Sequence, residues 1–163
     1  MKMEKMLVTM LLATVLTMGC SNPEPPALTN PSTYGELPSK GTEQDLQVEM
    51  SIPKKNYAAG TEKVSIEVKN HGSDQLLYGV AYQVEKREQG TWYAIPFQPN
   101  TAFVDIGIIV EPNHTRDEEM NLKMLDYPMT NGEYRMIKSF YVNGRELTLA
   151  TYFTIGGETS AHP

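Results

Sequence analysis

Between Leu46 and Ile155 apolar residues recur at every second position in short runs, and most of these runs stop at proline, glycine or asparagine. Period two sends alternate side chains to opposite faces of an extended chain, so each run reads as a half-buried strand. Leu46, Val48, Met50 and Ile52 alternate with Gln47, Glu49 and Ser51, and Val64, Ile66 and Val68 alternate with Ser65, Glu67 and Lys69. Pro53 and Gly60 bound the connection between them, and Asn70-His71-Gly72-Ser73-Asp74 supplies the next turn. Val80, Tyr82 and Val84 predict a third strand, Trp92 to Phe97 a fourth, and Val104, Ile106, Ile108 and Val110 a fifth. Met120 and Leu122 suggest a sixth, in a stretch that also reads as a short helical turn from Thr115 to Leu125. Seven or eight short strands without a long helical pattern imply an all-β, antiparallel sandwich over 46–156, with a compact barrel as the architectural alternative.

The last two strands are the most sharply specified. Asn143-Gly144 lies between Tyr134–Val142 and Arg145–Ile155, and that dipeptide favours a two-residue type I′ turn. The turn sets the register: Phe140 opposite Leu147, Lys138 opposite Leu149, Met136 opposite Thr151 and Tyr134 opposite Phe153 on the inner face. Arg135 with Tyr152 and Ile137 with Ala150 then fall on the outer face. Lys138 is out of place on an apolar face and must snorkel or meet a carboxylate, for which Glu85 and Asp105 are the candidates. On that reading Lys138→Met is tolerated or slightly stabilising.

The beginning of the chain has a different composition. Lys2 and Lys5 precede the apolar and threonine run Met6 to Met18, which is too short to span a bilayer core of about 30 Å. Leu16-Thr17-Met18-Gly19-Cys20 closes it and resembles the lipobox of bacterial lipoproteins, with Thr17 and Met18 departing from the usual pattern. The expectation is a signal peptide over 1–19 and acylation of Cys20, the single cysteine, whose lipid would hold the protein on the outer face of the bacterial cell membrane. From 20 to 45 the chain is rich in proline and small polar residues, the composition of a flexible tether holding the domain on the order of 25 to 30 Å from the lipid. A chain starting at residue 46 is then expected to melt within a few degrees of one starting at Ser21. Residues 157–163 read as a disordered tail.

Several runs together resemble a known family. They are Val64-x-Ile66-x-Val68-x-Asn70, Tyr78-Gly79-x-x-Tyr82-x-Val84-Glu85-Lys86, Gly90-x-Trp92-Tyr93 with Pro96-Phe97, and Gly132-Glu133-Tyr134-Arg135 with Lys138. They look like the bacterial immunoglobulin-like domain of small Gram-positive lipoproteins, and the domain is similar, more distantly, to a bacterial intracellular proteinase inhibitor with an immunoglobulin-like sandwich. The resemblance implies a single immunoglobulin-like sandwich with Trp92, Tyr134, Asn143 and Gly144 as structural residues and no assigned chemistry. Gly132-x-Tyr134 resembles a tyrosine corner, in which the hydroxyl folds back onto the backbone.

Chemistry is sparse elsewhere. Formal charge is −6, and without Lys2, Glu4 and Lys5 the remainder carries 12 basic against 19 acidic residues, a balance that disfavours nucleic acid. His71, His114 and His162 are dispersed and have no cysteine partner, so no metal site is expected, and Asp117-Glu118-Glu119 lacks the ligand spacing of a calcium loop. His71-Gly72-Ser73-Asp74 has the residue types of a hydrolytic triad, but contiguous residues in one turn do not align nucleophile, base and orienter. No glycine-rich loop opens a helix, so no phosphate cofactor is expected. The function expected is a non-catalytic, membrane-anchored envelope lipoprotein whose domain binds a protein or a wall polymer. The alternative is a proteinase inhibitor presenting Gln98–Ala102 or Asn70–Asp74.

Overall fold

The computed structural model describes residues 24–41 and 46–157; the expected signal peptide, Cys20 and the tail from 158 lie outside them. Ten strands are formed among the described residues, with one 3-10 turn at Leu122–Met124. In chain order they are β1 (Val48–Ser51), β2 (Asn56–Tyr57), β3 (Lys63–Asn70), β4 (Leu76–Gly79), β5 (Gln83–Glu88), β6 (Thr91–Ala94), β7 (Gly107–Val110), β8 (Thr115–Asn121), β9 (Gly132–Val142) and β10 (Arg145–Ile155). One sheet is β1-β3-β8; the other runs β2-β10-β9-β4-β7, with β5 and β6 alongside the first half of β9. The architecture is the expected all-β, immunoglobulin-like sandwich. Strands outnumber the seven or eight expected because two-residue β2 has too little sequence to show a period and because Leu76–Gly79, outside every predicted run, forms β4, while the strand predicted from Val80 starts only at Gln83 as β5.

The core follows the alternation. Val48, Met50, Val64, Ile66 and Val68 of one sheet meet Leu76, Tyr78, Val84, Tyr134, Met136, Phe140 and Phe153 of the other. Asn143 and Gly144 both have positive φ, 49° and 76°, as a type I′ turn requires. The hairpin pairs Phe140 with Leu147, Lys138 with Leu149, Met136 with Thr151, Tyr134 with Phe153 and Arg135 with Tyr152.

The break between β4 and β5 is a bulge. Tyr78 stands opposite Phe140 and Gln83 opposite Ile137, so the four residues 79–82 face only Lys138 and Ser139. Carbonyls displaced from a ladder in this way need another donor. The buried ammonium of Lys138 donates to Gly79 O at 3.0 Å and to Ala81 O at 3.1 Å.

Residues 24–41 are not the free tether expected from their composition. They run as a strap across the outer face of the larger sheet. Pro31 pairs with Tyr93 at the edge of β6, Ala150 N–H of β10 donates to Pro38 O, and Lys40 pairs with Glu49 of β1. Under the strap, Arg135 and Glu85 are directly paired across β9 and β5 and both are fully buried. Arg135 lies 2.7 Å from Glu85 Oε2 and donates to Gly35 O at 2.8 Å and to Ser32 Oγ at 3.1 Å. The Trp92 ring lies 4.6 Å from the guanidinium and its Nε1 donates to Glu36, while Tyr152 O–H donates to Leu37 O. The composition misled because it measures apolar side-chain burial, whereas the strap is held mainly by its backbone. At its end, a Cβ on Gly41 would sit 2.4 Å from Leu46 O and from Leu147, so the close approach there admits only glycine.

These contacts reverse the expectation for truncation. A chain beginning at Leu46 loses five backbone hydrogen bonds to the strap and the acceptors around Arg135. At about 1 kcal/mol net per bond, less the ordering entropy of the strap, it is expected to be about 2–4 kcal/mol less stable in urea than one beginning at Ser21. Arg135→Gln, which leaves Glu85 buried without its cation, is expected to cost about 3–5 kcal/mol in the full chain. In the strapless chain water reaches Glu85, and the same substitution is expected to cost under about 1 kcal/mol. Equal costs in the two backgrounds would show that the strap does not seal the pair.

Candidate protein interaction site

The strap divides the sandwich into a covered and an uncovered side. It lies on the free edges of β6, β10 and β1. Among the described residues, β7 pairs only with β4 and β8 only with β3, so the edges on the opposite side have no covering strand. That side carries most of the exposed large apolar residues. Val104 is 64% exposed, Ile106 55%, Ile109 54% and Leu77 44%.

The register aligns these residues. Ile109 of β7, Leu77 of β4 and Tyr141 of β9 are direct cross-strand partners and form one row on the outer face, ended by Glu146, which accepts from the Tyr141 hydroxyl. Tyr34 of the strap is also exposed and lines the same surface depression as Tyr141, so the strap borders the row at Tyr141. The sequence reading placed Val104, Ile106 and Ile108 with Val110 in one buried set. Only Val110 is buried; Ile108 is half-buried, and the strand starts at Gly107 rather than Val104. The telling feature in the sequence was Ile109, an apolar residue out of phase that makes both faces of the run apolar.

Behind this edge the two sheets part in a cleft of about 510 Å³ lined by Phe103, Val104, Ile108 and the inward side of β8. Its floor is a charged cluster. Glu118 accepts from the Tyr78 hydroxyl at 2.9 Å and lies 3.5 Å from Lys138 Nζ and 3.6 Å from Arg116. Lys138 thus meets a carboxylate as expected, but from the other sheet. Glu85 is engaged by Arg135 and Asp105 is exposed. Burial pushes the Lys138 ammonium below its ordinary pKa against the opposing pull of Glu118, and the Tyr78 phenol is pushed far up by burial and by the same carboxylate.

The remaining residues singled out by sequence have structural surroundings. Tyr134 donates its hydroxyl to Thr130 O, the geometry of a tyrosine corner, and stacks on Phe153. His71 faces Glu49 at 2.9 Å rather than Ser73, and His114 meets Pro112 O. Asn70 pins its own loop by bonding Asp74 O, Val110 O and Gly72 N–H, and Gln98 is tied to Met124 O and Lys123 O. Among the described residues no three histidine, cysteine or acidic side chains are grouped to hold a metal ion.

Lys138→Met removes the donor for two bulge carbonyls and one cation beside Glu118, so it is expected to cost about 2–3 kcal/mol rather than to be tolerated. The folded-state pKa of Lys138 is lowered, so the unfolded chain binds this proton more tightly. The stability of the natural chain over the variant is therefore expected to rise as pH climbs from the folded value to the unfolded one of about 10.4. Urea midpoints of the two chains at pH 7 and pH 10 test both statements.

No curated protein matches the chain. Solved structures with a similar fold include the periplasmic chaperone SfaE, at 10% identity and a TM-score of 0.43, covering 71% of this chain and 59% of that one. The chain therefore spans about three fifths of the chaperone's length. A PapD-like domain of human CEP192 matches at 14% identity and a TM-score of 0.38, over 76% of this chain and 94% of that one. A chain of the CsuC–CsuE chaperone–tip adhesion subunit complex of Acinetobacter baumannii matches at 11% and 0.40, over 72% and 61%. The family model described as a bacterial Ig-like domain matches residues 44–154, more than half of the molecule, and the chain belongs to that family.

Proposed function

We propose that the protein is a non-catalytic interaction module, anchored by lipid on Cys20 at the outer face of the bacterial cell membrane, that binds a protein partner through the β7–β4–β9 face. The observation that carries this reading is the exposed row Ile109–Leu77–Tyr141 beside Val104 and Ile106. An apolar surface of this kind on an otherwise sealed domain marks a contact site. The membership in an Ig-like family agrees with a binding role, as does the structural employment found for the buried charges Arg135, Glu85 and Lys138.

The strap bears on where the partner lies. The first residue that packs on the core is Leu28, eight residues beyond Cys20. Eight residues reach at most about 28 Å whatever their conformation, about a third of the reach of a tether running to residue 45. With the lipid on Cys20, the domain itself would be held close to the membrane, where the partner has to be within its reach.

The test places a photo-crosslinking amino acid at Leu77, or at Glu67 on the other sheet as a control, in cells that express the full chain. The expected result is one partner captured from Leu77 and not from Glu67, lost with Ile109→Lys, and a mature protein beginning at diacylated Cys20 by mass spectrometry of membranes. Equal labelling at the two positions would refute the proposed face, and an unmodified Cys20 in a soluble product would refute the anchor.

A further inference from the structure

We propose that β7 takes up an extended, basic and apolar segment of the partner as an additional strand. The inference rests on the interaction reading above and specifies its occupant. An edge strand offers a row of unpaired N–H and C=O groups, and proteins usually blunt it with lysine, proline, a bulge or a covering segment. Here the strap covers β6, β10 and β1 but stops short of β7. Between Ala102 and Val110 there is no lysine, arginine or proline, and Gly107 carries no side chain beside Leu77. Backbone pairing at such an edge supplies affinity, and alternate side chains laid beside Ile109 supply specificity.

Charge selects the occupant. Exposed Asp105 precedes β7 and exposed Glu111 follows it, and the chain has no lysine or arginine from Ala102 to Thr115, while on β8 of the other sheet exposed Asp117 is offset by exposed Arg116. A lysine- or arginine-bearing segment complements both ends of the strand. A second copy does not: two β7 strands paired antiparallel about Ile108 would place Asp105 of each copy against Glu111 of the other, a repulsive cross-strand pair. The basic, extended segment of a different protein is the occupant that both the edge and its charges fit.

The probe is a fluorescein-labelled octapeptide alternating valine with lysine and threonine, titrated with the purified full chain by fluorescence anisotropy. Exchanging its lysines for glutamate is expected to weaken binding at least tenfold, and Asp105→Lys with Glu111→Lys to reverse that preference. Two further peptides are methylated on alternate backbone nitrogens, one in each parity. Because only one parity faces the edge, one peptide is expected to bind as before and the other at least tenfold more weakly. Amide exchange at Gly107–Val110 is expected to slow in the bound state. Equal behaviour of the two methylated peptides, absence of protection at β7, or no binding by any peptide overturns strand addition. If Leu77 still captures a partner in cells in that case, the interaction reading stands and only the mode of binding falls.

Discussion

The ion pair between Arg135 and Glu85 is the contact around which the covered side is arranged. A guanidinium has five donors in one plane and cannot shed its charge, so burial is tolerable only when those donors are met. Glu85 meets part of the requirement, and the strap brings Ser32, Tyr34 and Gly35 to meet the rest. Trp92 and Tyr152 close the remaining space around the ion pair. A face that alternation marks as solvent-facing is thereby converted into a second interior, and β9 is buried on both sides from Tyr134 to Lys138.

Lys138 plays the corresponding part on the inner face. Its ammonium binds the bulge carbonyls and Glu118 of the opposite sheet, so one cation joins the break in β9's neighbour to the second layer. The bulge ends β4 and starts β5 in separate registers on β9, so that β4 and β7 continue the larger sheet apart from β5 and β6, with a free edge at β7. The proposed contact surface is a product of that division.

Legibility in the sequence followed the range of each interaction. The hairpin register was legible because a two-residue turn fixes it locally. The bulge was not, since Leu76, Tyr78, Val80, Tyr82 and Val84 alternate without interruption and an insertion of two residues preserves their parity. Lys138 stood out as a charge on an apolar face, but its carboxylate is on β8, and pairing between sheets leaves no periodic trace. The strap was misread because proline-rich, polar chain can still lend carbonyls to an arginine and to strand edges. For the apolar edge the warning was present in Ile109, although alternation alone had assigned its neighbours to the core.

The strap also dictates an order of assembly. It is made near the start of the chain, yet Leu37 closes on Tyr152 across a separation of 115 residues and Pro38 meets Ala150. Contacts this distant pay their loop-closure entropy late, and folds dominated by them form slowly. During synthesis the stretch from Tyr34 to Pro38 lacks its docking surface until the final hairpin has emerged, although the ends of the strap can meet β6 and β1 earlier. Closure of the covered side is therefore a report that the whole chain has arrived, and a product cut short before β10 is left with a leading segment unsupported between its contacts with β6 and β1 and open there to proteolysis.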